Sequence, residues 1–115
     1  MGQSIAIEKA EAFAIRIVNL SRYIREQKEY SLADQILRSG TSICANLYEG
    51  KFAQSNADFI SKLSIALKEA SETDFWLKLF YKTNIISESL YESFNNDIRE
   101  IIGILVSTIN TLKAK

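Results

Sequence analysis

The chain has 115 residues, with 14 basic and 14 acidic side chains, no histidine and no proline. A length of this order corresponds to one domain, which can bury about two-thirds of its unfolded surface without a metal or a disulfide. The balanced charge argues against a role dominated by phosphate neutralisation. The lack of histidine removes the usual activator of a nucleophilic serine. We therefore treat residues 1–115 as a single domain and expect no enzymatic activity, no catalytic residue and no cofactor.

The single cysteine, Cys44, bears on the compartment. One cysteine cannot form an internal disulfide, and this one lies on an apolar helix face, where a thiol behaves as a small hydrophobe. No apolar run is long enough to cross a membrane, and the N-terminus has no charged region followed by a hydrophobic one. These features predict a cytoplasmic protein that does not enter membranes.

Apolar residues at helical spacing predict four helices joined by short turns. Residues 1–4 are expected to form a loose lead-in. Ser31, Ser55 and Ser87 are good N-caps for the last three helices, and Gly50 can supply the left-handed residue that ends the second. The pattern predicts an all-α, antiparallel up-down-up-down four-helix bundle, with helices over about 5–27, 31–48, 55–82 and 87–113.

The second predicted helix carries a line of polar side chains beside its apolar face. Arg38, Ser42, Asn46 and Glu49 recur at spacings of four, four and three, so they stack along one line. Such groups suit a close helix contact, and Gly40 would let another backbone approach. The alternative is that this polar line simply faces water.

A matching line runs along the flank of the third predicted helix. Pairing the two helices about their short turn predicts that Arg38 contacts Glu69 and that Lys62 reaches Asn46 or Glu49. The predicted network of partly shielded polar contacts comprises Arg38, Ser42, Asn46, Glu49, Lys62, Glu69, Glu72 and Thr73.

Helical bundles often hold two metals, so a carboxylate metal site is the alternative to this network. Glu49, Glu69 and Glu72 could gather inside the bundle, but the Glu-x-x-His motif of such sites is absent. Arg38 and Lys62 are available as basic partners. The sequence therefore favours ion pairs and predicts no metal.

The third predicted helix has more apolar residues than one core can cover. Ile65, Phe75, Trp76 and Leu79 cannot all share a core with the apolar face of their own helix. A contiguous exposed apolar patch usually marks an interface. We therefore expect a homo-oligomer with these four residues at its interface.

Lysines near the third helix raise the alternative of nucleic-acid binding. Lys51, Lys78 and Lys82 are the candidate contacts. Asp58, Asp74 and other acidic residues interrupt the basic run, so a solvated helix face is the favoured interpretation.

Two stretches resemble a known family. The segment 37–50, LRSGTSICANLYEG, and the segment 58–80, DFISKLSIALKEASETDFWLKLF, resemble the two motifs of the ribosomal RNA intervening-sequence proteins, also called the four-helix bundle protein family. Some members are encoded within insertions in large-subunit rRNA genes, and related proteins serve diversity-generating retroelements.

The resemblance implies a small bundle that assembles into a ring, typically a homopentamer, without enzymatic activity. It implies a helical scaffold or adaptor that binds a protein partner; the alternative is an RNA- or DNA-binding accessory protein linked to an rRNA intervening sequence or a reverse transcriptase. The retroelement members tend to be basic, whereas this chain is neutral.

Overall fold

Four long helices make up most of the computed structural model, which describes the backbone of residues 2–115 and the side chains from Ile5 onward. They are α1 (Gly2–Glu26), α2 (Tyr30–Gly50), α3 (Asn56–Lys82) and α4 (Glu88–Lys113). No strand occurs in residues 2–115. Met1 lies outside the described residues, and the expected lead-in over the following three residues is wrong because α1 already begins at Gly2.

The helices pack in the order in which they follow one another. Each helix packs along its two neighbours in the ring α1–α2–α3–α4, and over the described residues no Cα atoms of the diagonal pairs lie within 8 Å of each other. The molecule measures 46 × 21 × 18 Å, so its long axis follows the helices. This arrangement confirms the predicted antiparallel four-helix bundle.

One apolar core runs along the bundle axis. Phe13 and Phe94 meet edge to face across α1 and α4, with ring centroids 6.0 Å apart. Buried side chains of this size each stabilise the fold by about 1.5–3 kcal/mol relative to exposure. Along α4 the buried residues recur every three or four positions, as the sequence predicts: Phe94, Ile98, Ile101, Leu105 and Ile109.

Two of the three predicted serine caps are present. The Ser55 hydroxyl accepts the Asp58 amide at 3.0 Å, and the Ser87 hydroxyl accepts the Leu90 amide at 3.1 Å. The prediction for Ser31 is wrong, because α2 begins one residue earlier. Glu29 stands at its N-cap without a side-chain hydrogen bond.

The left-handed backbone positions are not glycines. Lys28 and Asn84 have φ values of 66° and 64°, and they lie within the two turns at one end of the bundle. Gly50 is helical, so its predicted left-handed role is wrong. A Cβ at Gly50 would lie 3.3 Å from the Phe59 ring, which shows that close packing of α2 on α3 occupies this position.

Gly40 lies where α2 packs closely on α1. A Cβ there would lie 2.7 Å from Cγ2 of Ile17. The expected neighbour was another backbone, whereas the observed neighbour is a β-branched side chain. Because Ile is stiff at χ1, it cannot easily yield to an added methyl group.

The environment of Cys44 and the apolar character of the helices bear on two further expectations. Cys44 is buried, and this burial raises the pKa of its thiol. None of the described helices combines the length and the apolar character needed to cross a membrane.

Candidate interaction surface

The outer flank along which α2 and α3 meet carries most of the residues that the sequence singles out. We call it the α2/α3 face. It comprises Arg38, Ser42, Asn46 and Glu49 of α2, and Lys62, Ile65, Glu69, Glu72, Phe75, Trp76 and Leu79 of α3.

Arg38 lies at the centre of this face and binds two carboxylates of α3. Its Nη1 donates to Glu69 Oε1 at 3.2 Å, which is the pairing derived from the sequence. Its Nη2 donates to Glu72 Oε2, a partner that the sequence argument did not assign to it. The Arg38 side chain is still 49% exposed. In a single copy the pair is therefore worth less than about 1 kcal/mol.

Trp76 extends this cluster toward the apolar part of the face. Its indole Nε1 donates to Glu72 Oε2 at 3.0 Å. This hydrogen bond, followed by that from Arg38, lowers the pKa of Glu72 below the ordinary glutamate value. The hydrogen bond to Glu72 also raises the pKa of Arg38. Two carboxylates share one guanidinium, which leaves the cluster with an excess of negative charge.

A second ion pair closes the end of the face near the α2–α3 turn. Lys62 Nζ lies 2.8 Å from Glu49 Oε1, and this hydrogen bond raises the pKa of Lys62. Asn46 does not join the pair, because its amide donates to the Ser42 carbonyl at 2.8 Å. The Ser42 hydroxyl likewise donates to the Arg38 carbonyl at 2.6 Å. These two residues bind their own helix.

Thr73 lies inside the bundle instead of on the outer flank. It is fully buried, and its hydroxyl lies 2.8 Å from the Glu69 carbonyl and 3.0 Å from Ser39 Oγ. Sequence reasoning missed Ser39. The available signal was its spacing, because it stands three residues after Ile36 and four before Ile43 on the apolar stripe.

The apolar part of the face lies on the outer side of α3. Phe75 is 55% exposed and Ile65 is 38% exposed. The Phe75 ring meets Trp76 edge to face at 5.0 Å, and Trp76 in turn stacks on the buried Phe80 at 6.3 Å. Leu79 is half-buried beside them. The four predicted interface residues thus share one side of α3, and Trp76 connects them to the core.

The three candidate nucleic-acid contacts are not close together. Lys51 precedes α3, whereas Lys78 and Lys82 belong to its last turns, and a helix of 27 residues is about 40 Å long. Lys51 Nζ lies 4.3 Å from the centroid of the Tyr48 ring. Within one copy these lysines cannot form a single phosphate-binding patch.

The three carboxylates considered as metal ligands form ion pairs with basic side chains. Glu69 and Glu72 bind Arg38, and Glu49 binds Lys62. Within the part of the chain that the structure describes, no group of three or more histidine, cysteine, aspartate or glutamate residues is placed to hold a metal ion.

The fold and its ion-paired flank define a small all-α antiparallel bundle with a partly apolar outer face. The chain belongs to the family described as 23S rRNA-intervening sequence protein, whose model matches residues 3–107.

A solved relative extends this finding to three dimensions. It is a crystal structure of a protein of unknown function from the S23 ribosomal protein family of Bacteroides thetaiotaomicron. It is 52% identical and superposes with a TM-score of 0.93, covering 96% of this chain and 99% of its own. No curated protein matches the chain.

Proposed function

We propose that this protein is a non-catalytic helical scaffold that assembles with copies of itself through the α2/α3 face and presents the assembly to a protein partner. The observation that carries the proposal is the exposure of Phe75 and Ile65 beside Trp76. Large apolar side chains that cluster on one exposed surface usually mark an interface.

A second copy would also change the setting of the Arg38 cluster. In one copy Arg38 is half-exposed, and solvent screens its pairs with Glu69 and Glu72. Covering the face would remove that water and strengthen the existing hydrogen bonds. The cluster would then fix the register of the contact, while the apolar residues supply most of its free energy.

The resemblance of the two motifs to the family implies a ring, and five copies is the number that we propose. A cyclic assembly is the usual form of a homo-oligomer. The absence of histidine and the pairing of Glu49, Glu69 and Glu72 with cations support a binding role over a catalytic one.

Binding of RNA or DNA is the alternative. One copy offers Lys78 and Lys82 one helical turn apart and Lys51 far from both, but a ring would repeat Lys51 around one end of the assembly and Lys82 around the other. A phosphate-binding assembly should lose affinity steeply as salt increases. Retention of partner binding at high salt, with no binding to single- or double-stranded nucleic acid, supports the protein adaptor.

Sedimentation of the wild type and of Phe75→Glu tests the proposal. Phe75 is the better probe because Trp76 packs against the core, so its replacement would also loosen the fold. At micromolar concentration the wild type should sediment as an oligomer. Phe75→Glu should lower the mass while leaving the helical circular dichroism unchanged.

Val106→Glu is the matched control, because Val106 is a similarly exposed apolar residue on α4. This variant should keep the wild-type mass. A monomeric wild type, or a Phe75→Glu variant that keeps its full mass, would overturn the proposal.

A further inference from the structure

We propose that the groove between α1 and α4 binds a small carboxylate that carries an aromatic or branched aliphatic group, and that Arg16 holds its two oxygens. We call this groove the Arg16 pocket; its lining residues are Arg16, Asn19, Leu20, Tyr23, Leu90 and Phe94. The inference goes beyond the proposed scaffold and does not depend on self-assembly through the α2/α3 face, because α1 and α4 meet on the opposite side of the bundle.

The seam between α1 and α4 leaves space for a ligand. These two helices pack less closely than the other three neighbouring pairs over the described residues. Two ion pairs bridge the seam, Lys9 with Glu100 at 3.2 Å and Arg16 with Asp97 at 2.6 Å. Beside the second pair, the Arg16 pocket has a volume of about 320 Å³. That volume falls within the range of small-molecule sites, and such sites often lie between the helices of a bundle.

The floor of the Arg16 pocket is apolar and belongs to the core of the bundle. Leu20 and Phe94 are each 3% exposed, and Leu90 packs against the core as a half-buried side chain. Tyr23 is 46% exposed and lies at the rim. A ligand whose apolar group covers these side chains removes their surface from water, which favours binding. The body of the ligand should therefore be aromatic or branched aliphatic.

Arg16 is held in place at one end of this floor. Its guanidinium carbon lies 4.0 Å from the centroid of the Phe94 ring. Its Nη1 donates to Asp97 Oδ2 at 2.6 Å and to the Ser93 carbonyl at 3.5 Å, and its Nη2 donates to Ser93 Oγ at 2.8 Å. The side chain is nonetheless 35% exposed. A guanidinium fixed in this way loses little further freedom when it binds an anion.

The free edge of the Arg16 guanidinium faces the pocket. Arginine has five N–H donors, and the contacts with Ser93 and Asp97 use three of them. The remaining two, on Nε and Nη2, lie along the edge opposite Nη1. Because Nη1 points to Asp97, which lines the neighbouring cavity with Phe13, this edge points the other way, toward the Arg16 pocket. Two parallel N–H groups of this kind bind both oxygens of a carboxylate.

The rest of the polar lining also favours an anion. None of the six described lining residues is acidic, and the Asn19 amide and the Tyr23 hydroxyl can each donate a hydrogen bond to a bound carboxylate. The carboxylate of Asp97 lies on the far side of Arg16, so the guanidinium stands between it and the pocket. A neutral or cationic ligand would cover the free N–H groups of Arg16 without giving them an anionic acceptor, which costs free energy.

Calorimetric titration with three matched probes tests the class of ligand. The probes are phenylpropionate, its neutral amide of the same shape, and acetate, which has the carboxylate without the apolar group. Phenylpropionate should bind saturably at one site per chain. The amide and acetate should each bind at least about tenfold more weakly, because each lacks one half of the recognised chemistry. Equal affinity for either analogue, or no binding of phenylpropionate at millimolar concentration, would overturn the inference.

Two variants of the seam test the assignment to Arg16. Arg16→Lys keeps a positive charge beside Asp97 but removes the two-pronged edge, so the affinity for phenylpropionate should fall about tenfold or more. Lys9→Gln is the matched control, because it breaks the other ion pair across the same seam and lies outside the Arg16 pocket. It should leave the affinity unchanged, and both variants should keep the helical circular dichroism. An unchanged affinity in Arg16→Lys, or an equal loss in Lys9→Gln, would overturn the inference.

Discussion

The two sides of α2 hold their neighbours in different ways. Toward α1 the contact at Gly40 depends on shape, since Gly40 leaves only enough space for the Ile17 side chain. Polar pairs accompany it nearer the α1–α2 turn, where the Ser21 hydroxyl donates to the Ala33 carbonyl and Arg25 pairs with Asp34. Toward α3 it depends on polar pairs, with the buried Ser39–Thr73 hydrogen bond inside and Arg38 with Glu69 and Glu72 outside. The first side is closed by packing. The side toward α3 ends in the half-exposed cluster of Arg38, Glu69 and Glu72, which another copy can cover.

Adding one methyl group to α2 should give one of the two largest effects in the separated chain. Gly40→Ala would push against Ile17, and overpacking of this kind costs about 1–3 kcal/mol, against a gain of up to about 1 kcal/mol in helix propensity. We expect a net loss in the free energy of unfolding, measured by urea titration at fixed protein concentration.

Gly103→Ala is the control for this change. Gly103 is exposed on α4, and a Cβ there would meet nothing within 4 Å. The substitution should therefore stabilise the protein by about 0.5–1 kcal/mol. If Gly40→Ala stabilised the protein to the same extent, the contact between α1 and α2 would not depend on close packing.

Removing the buried hydroxyl on the other side of α2 should have an effect of comparable size. Thr73→Val keeps the shape but leaves Ser39 Oγ without its partner, which costs about 1–3 kcal/mol. Adding Ser39→Ala should recover part of this loss, because both polar groups are then absent. Strictly additive losses in the double-mutant cycle would show that the two hydroxyls are not coupled.

Arg38→Ala should have a smaller effect in the separated chain. Its ion pairs are exposed, so we expect a loss of less than about 1 kcal/mol at concentrations where copies dissociate. In the assembled state the loss should grow toward the 3–5 kcal/mol typical of a broken buried pair. Equal losses at low and high protein concentration would show that nothing covers the α2/α3 face.

The smallest expected effect is the loss, at acid pH, of the contribution that Glu72 makes to stability. The pKa of Glu72 is lowered in the folded chain, so its contribution is complete above the ordinary glutamate pKa of about 4.3 and is lost as pH falls through the lowered value. Glu72→Gln should thus lower the melting temperature near neutral pH, and this difference should shrink as the pH falls below about 4.3. A difference that grew toward acid would contradict this assignment.

Sequence reasoning succeeded where the signal is local. Ser55 and Ser87 cap their helices through the backbone a few residues later, so their patterns can be read directly. The cap at Ser31 failed because the turn before α2 passes through a left-handed Lys28, and α2 then starts at Tyr30. No glycine or asparagine marks that turn, so tertiary packing decides it.

The same distinction applies to the candidate site. Helical spacing and a short turn were enough to derive the approach of Arg38 to Glu69 and to limit the partner of Lys62 to Asn46 or Glu49, of which the structure has Glu49. The pairing of Arg38 with Glu72 was missed because a helical wheel places Glu72 further from α2 than Glu69. The long arginine side chain nevertheless reaches both carboxylates, which lie about one turn apart. The Ser39–Thr73 contact depends on how deeply the two helices pack, which spacing alone does not determine.

The mass of the wild-type chain in solution is the most direct test of self-assembly through the α2/α3 face. Light scattering or native mass spectrometry over a micromolar concentration series should give about 65 kDa for a closed ring of five 13.0 kDa chains, with no further growth as the concentration rises. A constant mass of 13.0 kDa across the series would contradict the account, because the α2/α3 face would then remain uncovered in the native protein.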